Sequence, residues 1–430
     1  MSHPTPDGSS SAQGPLASLL DRIGIPRSLA LGYLALGLFM IGDGVEQGYL
    51  SALLVGNGFA QSEVALMFTV YGITAGVSAW MAGALSDVFG PKRLMLAGSI
   101  IWVLFHIPFV AFGIAGQSTP VLLLCYGLRG FGYPLFAYGF LMWVVRTVKQ
   151  ERLGMAVGWF WFAYIAGFST LSPLVANAVI PLIGPLNTLW AALGVILLGT
   201  AVGLVVRAPG GNRPLDRPET SPVRSLVKGV SVLWQEPRVA VAGLIRVING
   251  VSQFGFPVFL PVYFTVGLGF PLSDWLTIYA VMYLVNLGAN LLAGYWSDRY
   301  GVVLVLRWMG CIGCAVTTVA FYYVPTMTQS FWLSIVVGSL FCACLAGFAP
   351  MSALMPVIAP QRTGAAMAGL NLGAGLGTAA GPALVGLCLT PLGVEGTMWV
   401  LGSCYLLGGL LTLLLRTPAK KADRTARTPA

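Results

Sequence analysis

Residues 41–50 read IGDGVEQGYL, which sets two carboxylates, Asp43 and Glu46, three residues apart inside the apolar run 29–55. On a helix that spacing puts both on adjacent turns of one face, together with Gln47. Two carboxylates so close and shielded from water cannot both ionise cheaply. One is expected to hold a proton while a cation keeps the other charged. A carboxyl that loads and unloads a proton beside a fixed ion pair is what proton-driven movement of a solute requires. Three more ionisable side chains lie in apolar runs: His106, Arg129 and Arg246. Each such group costs about 2.5–3.5 kcal/mol at the centre of a bilayer on insertion scales, so each is a candidate for function.

The elements that must position these groups follow from composition. Of 430 residues, 57% are hydrophobic and only 9% charged. The sequence divides into twelve apolar segments near 29–55, 64–85, 94–114, 120–145, 155–180, 186–206, 239–263, 275–296, 302–323, 331–358, 366–390 and 396–416. Each is long enough to cross a hydrocarbon core of about 30 Å. Backbone groups must be paired in lipid, and the runs are too long for barrel strands, so each is expected to be a helix. The net charge of +9 does not call for a nucleic acid. Apart from Arg129 and Arg246, the 23 Lys and Arg fall in the tails or in and beside the even-to-odd connections, which predicts a multi-pass protein of the cytoplasmic membrane with both termini inside. Residues 1–27 lack the pattern of a cleaved secretory signal. The seven cysteines all fall within the segments. Cys311 and Cys314 form a C-x-x-C without His or acidic neighbours and read as packing residues, so no metal and no cofactor is expected.

The chain repeats itself. Gly83-Ala-Leu-Ser-Asp87-Val-Phe-Gly90 returns as Gly294-Tyr-Trp-Ser-Asp298-Arg-Tyr-Gly301; QERLGMAVG around Gly154 returns as QRTGAAMAG around Gly364; and DGVEQ in the first segment matches NGVSQ in the seventh, Asp43 standing against Asn249. Three echoes in one order imply a duplication: a tail 1–28, a six-helix bundle 29–206, a basic linker 207–238, a second six-helix bundle 239–416 and a tail 417–430.

Two six-helix halves with a G-x-x-x-D-x-x-G-x-K/R-R loop resemble the major facilitator superfamily, and the resemblance spans essentially the whole chain. The loop is Gly83, Asp87, Gly90, Lys92 and Arg93, with Pro91 in a place often basic; the second copy keeps Gly294, Asp298 and Gly301 without the basic pair. The resemblance implies an all-α fold of twelve transmembrane helices, a gating role for these loops, and a central cavity lined by helices 1, 4, 7 and 10. Depth supports a meeting of helices 1 and 4: at about 1.5 Å per residue, Asp43 lies roughly 20 Å from the inner end of its segment and Arg129 roughly 13 Å from the outer end of the fourth. Tyr126, Arg129 and Tyr133 form the facing stripe. An acid on helix 1 facing an Arg on helix 4 is an arrangement among proton-linked sugar carriers of this superfamily. That favours Asp43 as the proton carrier with Arg129 nearby, while Glu46 remains the other candidate and a purely structural ion pair the bland one. His106 reads as a hydrogen-bonded core histidine. Arg246 either snorkels inward or reaches the cavity.

The four strong charges sum to zero, and the polar groups around them are amides, hydroxyls and rings: Gln47, Tyr133, Tyr138, Trp159, Trp161, Tyr164, Asn249, Gln253 and Asn371, with Tyr279, Tyr283, Asn286 and Asn290 as a continuous stripe on the eighth segment. Such a mixture suits a neutral polyhydroxylated solute. More narrowly, MIGDGVEQGYLSALLV, LMFTVYGITAGVSAWMAGALSD and LRGFGYPLFAYGFLMWVV resemble the bacterial ribitol and D-arabinitol permease branch, which implies proton symport of a pentitol by a monomer. That branch shades into organic-acid permeases, including those of 2-oxoglutarate, in which Arg129 would meet a substrate carboxylate. A drug efflux antiporter is disfavoured because GFSTLSPLVAN lacks the exporter pattern. An enzyme or sensor is disfavoured because no nucleophile with a base, metal cluster, phosphate loop or signalling domain is legible.

Overall fold

The structure, a computed structural model, describes residues 25–207 and 231–415. The expected tail 1–28 up to residue 24, the bulk of the linker 207–238 and the tail 417–430 lie outside the described residues. Among the described residues every regular element is helical.

Among the described residues ten helices are long and apolar enough to cross a membrane. Two features relate these to the twelve expected segments. The last of them, Pro360–Leu414, contains Gly393 at φ 64° and ψ −171°. A Cβ on Gly377 would lie 3.2 Å from Gly250 Cα, while the Tyr405 hydroxyl donates to the Asn249 carbonyl at 3.5 Å. Residues on either side of Gly393 thus sit at one level of the seventh helix, and the chain turns back at the glycine. The other feature is the first segment, which was expected to be one continuous helix and is not. It consists of Ala30–Gly44 and Leu50–Gly56, joined by a turn. In the turn Gln47 N–H donates to Gly44 O and Tyr49 N–H to Glu46 O, both at 3.0 Å. These i→i+3 bonds wind the chain more tightly than an α-helix and change the directions in which residues 45–49 point.

Packing explains why the break falls there. A Cβ on Gly44 would lie 2.2 Å from the Phe168 carbonyl oxygen, so only glycine lets the first segment approach the fifth so closely. The fourth segment is broken at the same kind of place, between Thr119–Arg129 and Gly132–Thr147. Side chains of the second segment take up carbonyls around that break: Thr74 Oγ1 donates to Gly127 O at 2.5 Å and Ser78 Oγ to Phe131 O at 2.8 Å. Irregular backbone survives at membrane depth only where such partners exist. The duplicate of the first motif behaves differently. Residues 248–257 lie within the unbroken helix Pro237–Val262.

The two halves touch through a few close contacts. A Cβ at Gly72 would fall 2.3 Å from the Thr378 carbonyl oxygen and one at Gly76 2.6 Å from that of Gly375, and Thr378 Oγ1 donates to Gly72 O at 2.7 Å. Asn177 Nδ2 donates to Thr277 Oγ1 at 3.3 Å. Near the opposite end of these same four helices, Gly83, Gly154, Gly294 and Gly364 have no atom within 4 Å of a Cβ position. The helix pairs are in contact from the middle to one end and uncrowded at the other.

The duplicated loops end their helices alike. Gly90 at φ 83° and Gly301 at φ 93° both occupy the left-handed region that glycine tolerates. Asp87 Oδ1 accepts from Arg146 Nη2 at 2.6 Å, and Lys92 Nζ donates to the carbonyls of Leu204 at 2.6 Å and Val206 at 3.2 Å, at the end of the sixth helix. In the second copy Asp298 has no ion pair among the described residues.

Candidate functional site

The intramembrane charged residues of the first half come together in one buried cluster. One acid was expected to pair with Arg129 and the other to titrate, with Asp43 preferred as the proton carrier and Glu46 left open; the direct partner of Arg129 is Glu46. Arg129 Nη1 donates to Glu46 Oε2 at 3.0 Å and Nη2 donates to Glu46 Oε1, a forked pair. All three side chains are essentially inaccessible to solvent. The guanidinium is boxed by rings: its Cζ lies 4.4 Å from the centroid of Tyr126, 5.0 Å from Trp102, 5.2 Å from Phe109 and 5.8 Å from Tyr71. Such a box replaces hydration with the negative faces of the rings.

His106 is a buried, hydrogen-bonded histidine, and one of its partners belongs to this cluster. Its Nδ1 lies 2.7 Å from Arg129 Nη1 and its Nε2 3.0 Å from the Leu189 carbonyl oxygen. Arginine has no acceptor, so Nδ1 must accept, and a carbonyl has no donor, so Nε2 must carry the hydrogen. Both ring nitrogens are therefore assigned, and the imidazole is neutral.

Asp43 stands apart from the ion pair. Its carboxylate accepts from Trp102 Nε1 at 2.6 Å and from the Tyr71 hydroxyl at 3.4 and 3.3 Å. No cation touches it among the described residues. The turn at residues 45–49 accounts for this division: Glu46 swings to the fourth segment while Asp43, on the preceding helix, faces the second and third. The expectation that Asp43, Glu46 and Gln47 share one helical face therefore does not hold.

Beside this cluster, between the halves, lies a small cavity lined by Gln47, Phe68, Tyr71, Tyr133 and Phe168 from the first half and Phe254, Thr378 and Pro382 from the second. Hydroxyls and an amide supply its polarity, rings supply most of the rest, and no charged side chain reaches the wall. Of the solute-binding candidates, Gln47 and Tyr133 are on this wall. The others are elsewhere. Asn286 Nδ2 donates to the Cys342 carbonyl at 2.7 Å and Asn290 Nδ2 to the Asn286 carbonyl at 2.8 Å, so that stripe ties the eighth helix to the tenth and to itself. Tyr283 is buried against Tyr279 with ring centroids 5.0 Å apart. Asn249 Oδ1 accepts from Arg246 Nη1 at 2.8 Å. Tyr138 packs edge-on against Trp161 at 6.4 Å and Trp159 against Phe162 at 5.3 Å, while Gln253 is half-buried and Asn371 exposed.

Two members of the cluster were not anticipated, Tyr71 and Trp102. Tyr71, Thr74 and Ser78 recur at i, i+3 and i+7 on the second segment, and Trp102 precedes His106 by four residues on the third. Those two stripes were the available signals.

Comparison with known proteins agrees with this architecture. The Major Facilitator Superfamily model matches residues 47–360 and 277–430. An alpha-ketoglutarate permease of Bacillus subtilis (strain 168) is 37% identical over 94% of this chain and 93% of its own length. A D-arabinitol transporter of Klebsiella pneumoniae is 33% identical over 92% of this chain and 93% of its own. Among solved structures, a peptide transporter in complex with sulfate superposes with a TM-score of 0.74 at 14% identity, covering 91% of this chain and 94% of the other. Helical spans in two related halves, an intramembrane acid and arginine, and these matches lead to one conclusion: the chain is a membrane transporter and belongs to the Major Facilitator Superfamily.

Proposed function

We propose that the chain is a proton-coupled symporter of a small, uncharged polyhydroxylated solute, a pentitol such as ribitol or D-arabinitol. The observation that supports this most directly is the separation of charge from the cavity. The cavity wall offers hydroxyls, an amide and rings, which suit a sugar alcohol with alternating hydroxyl and carbon faces. The charges lie behind it, with Glu46 and Arg129 neutralising each other and Asp43 left to bind or release a proton. The kinship with a D-arabinitol transporter points the same way.

Movement of solute then follows from rocking of the halves about the cavity. With the basic connections on the cytoplasmic side, the uncrowded end marked by Gly83, Gly154, Gly294 and Gly364 faces the cytoplasm. Asp87, Gly90, Lys92 and Arg93, with Gly294, Asp298 and Gly301 in the second copy, act as the latch at the cytoplasmic end. Ribitol added outside liposomes holding the purified protein should acidify their lumen. Solute movement without proton movement would remove symport from the proposal.

One observation favours a second reading. The alpha-ketoglutarate permease is similar at comparable identity, and a keto acid needs a cation. Arg129 is enclosed by Glu46, His106 and four rings, so the cation open to a carboxylate is Arg246, half-buried and bonded to Asn249. Competition for uptake by 2-oxoglutarate and not by ribitol, lost on Arg246→Gln, would establish this version in place of the first.

A further inference from the structure

Tyr71 belongs to two sites at once. Its hydroxyl donates to both oxygens of Asp43, and the residue forms part of the cavity wall beside Gln47 and Tyr133. The ring is fixed in place: it stacks on Tyr133 with centroids 6.1 Å apart and leans on Tyr126 at 4.7 Å. What remains free to turn is the O–H bond. A phenol has one hydrogen to give and can also accept.

We propose that Tyr71 is the residue that couples proton binding to solute binding, by reversing the direction of its hydrogen bond with Asp43. With Asp43 ionised, the carboxylate can only accept, so the Tyr71 hydrogen is committed to it and the cavity is offered no donor from this residue. When a proton from water binds the Asp43 oxygen facing Tyr71, that carboxyl becomes the donor. The Tyr71 oxygen accepts the new hydrogen, and its own hydrogen turns toward the cavity, where an oxygen of the solute accepts it. Trp102 continues to donate to the other Asp43 oxygen throughout. No covalent bond other than the one to the added proton changes.

The surroundings leave Tyr71 as the connection. The charged groups near Asp43 are Glu46 on its own segment and Arg129 on the fourth, and these are engaged with each other. From the third segment, neutral His106 is held between Arg129 and Leu189. Trp102 has one hydrogen, already given to Asp43. From the cavity side, Tyr133 stacks on Tyr71. By linkage, a proton that frees a donor for the solute is itself held more tightly once the solute is bound, which is the condition for symport.

The inference rests on the proposed proton-coupled reading, and the test separates the two. Binding of ribitol, and of 2-oxoglutarate as second probe, is measured by calorimetry across a pH series on the full-length protein, alongside proton flux in liposomes. In the wild type, affinity should rise from alkaline to acid pH by about 5- to 150-fold, the range of ordinary coupling energies. In Tyr71→Phe, which keeps the ring and its packing, that ratio should fall to about one, and uptake should become equilibrative with solute exchange retained. In Asp43→Asn, whose amide N–H can donate to the Tyr71 oxygen as a protonated carboxyl does, affinity should stay high at every pH. The double variant should bind as weakly as Tyr71→Phe alone. Tyr71→Phe with the full pH dependence would overturn the coupling role and leave symport standing. A wild type whose binding ignores pH, or one that binds neither probe, would overturn both.

Discussion

Trp275, at the start of the eighth segment, donates its indole N–H to the carbonyl of Gly48 at 2.7 Å, a buried bond that reaches from the second half of the chain into the turn that interrupts the first helix. The turn that separates Asp43 from Glu46 is thus held by the opposite half. Loss of a bond to a buried carbonyl costs about 1–3 kcal/mol, and here that cost falls on the closed end of the molecule. Trp275→Phe should therefore populate the opposite arrangement. Spin labels at Gly154→Cys and Gly294→Cys, which have space around them, should report a shorter distance in that variant. An unchanged distance distribution would show that the bond does not bias the two states.

The Glu46–Arg129 pair should respond asymmetrically to substitution. Removing one buried charge strands the other, at about 3–5 kcal/mol, whereas replacing both by apolar residues of similar volume is close to neutral. Arg129→Ala should lower the melting temperature of the purified protein far more than Glu46→Gln combined with Arg129→Met. Arg129→Lys should fall between, since an ammonium cannot fork onto the carboxylate or lie flat against Tyr126.

Close approach of the halves at Gly72 and Gly76 predicts a block in the cycle. A side chain at Gly72 meets backbone of Thr378, which cannot rotate away. Gly72→Val should leave a folded protein with at least a tenfold loss of uptake, and the spin-label pair at positions 154 and 294 should again shift to the shorter distance. Normal uptake in this variant would mean that the contact is not needed for transport.

The loop after the second helix allows a comparison of two costs. Gly90 sits at φ 83°, so Gly90→Ala should destabilise by about 1–2 kcal/mol through backbone strain. The Asp87–Arg146 pair is partly exposed, its carboxylate 40% accessible, and such pairs contribute about 0.2–1 kcal/mol. Asp87→Asn should thus leave the melting temperature nearly unchanged. A larger loss from Asp87→Asn than from Gly90→Ala would give the ion pair a structural role.

Apolar run lengths made the helical spans legible, because lipid imposes them, and three repeated motifs pointed to the duplication. The approach of the first and fourth segments followed from the family resemblance together with their matching depths. Which acid pairs with Arg129 stayed open in the sequence, since spacing assigns faces only on a continuous helix, and the tight turn at 45–49 is contacted by Phe168 and Trp275, which are remote in sequence. Tyr71 and Trp102 were hidden for a different reason: aromatic residues in apolar helices usually pack, and nothing local distinguishes a ring whose polar atom meets a carboxylate. Asn286 and Asn290 misled in the opposite sense. Their stripe marks helix–helix bonding, which lipid also demands of polar groups.

The unequal fate of the two copies of the duplicated motif has an evolutionary consequence. Asp43, Glu46, Tyr71, Trp102, His106 and Arg129 all descend from one copy, while the other contributes the Phe254, Thr378 and Pro382 side of the cavity. The buried acid–arginine cluster and the second side of the cavity wall are therefore inherited on separate stretches of the gene. If the proposed roles hold, drift in the later stretch retunes the cavity wall without disturbing the buried charges, and recombination near the midpoint of the gene joins an old charge cluster to a new wall.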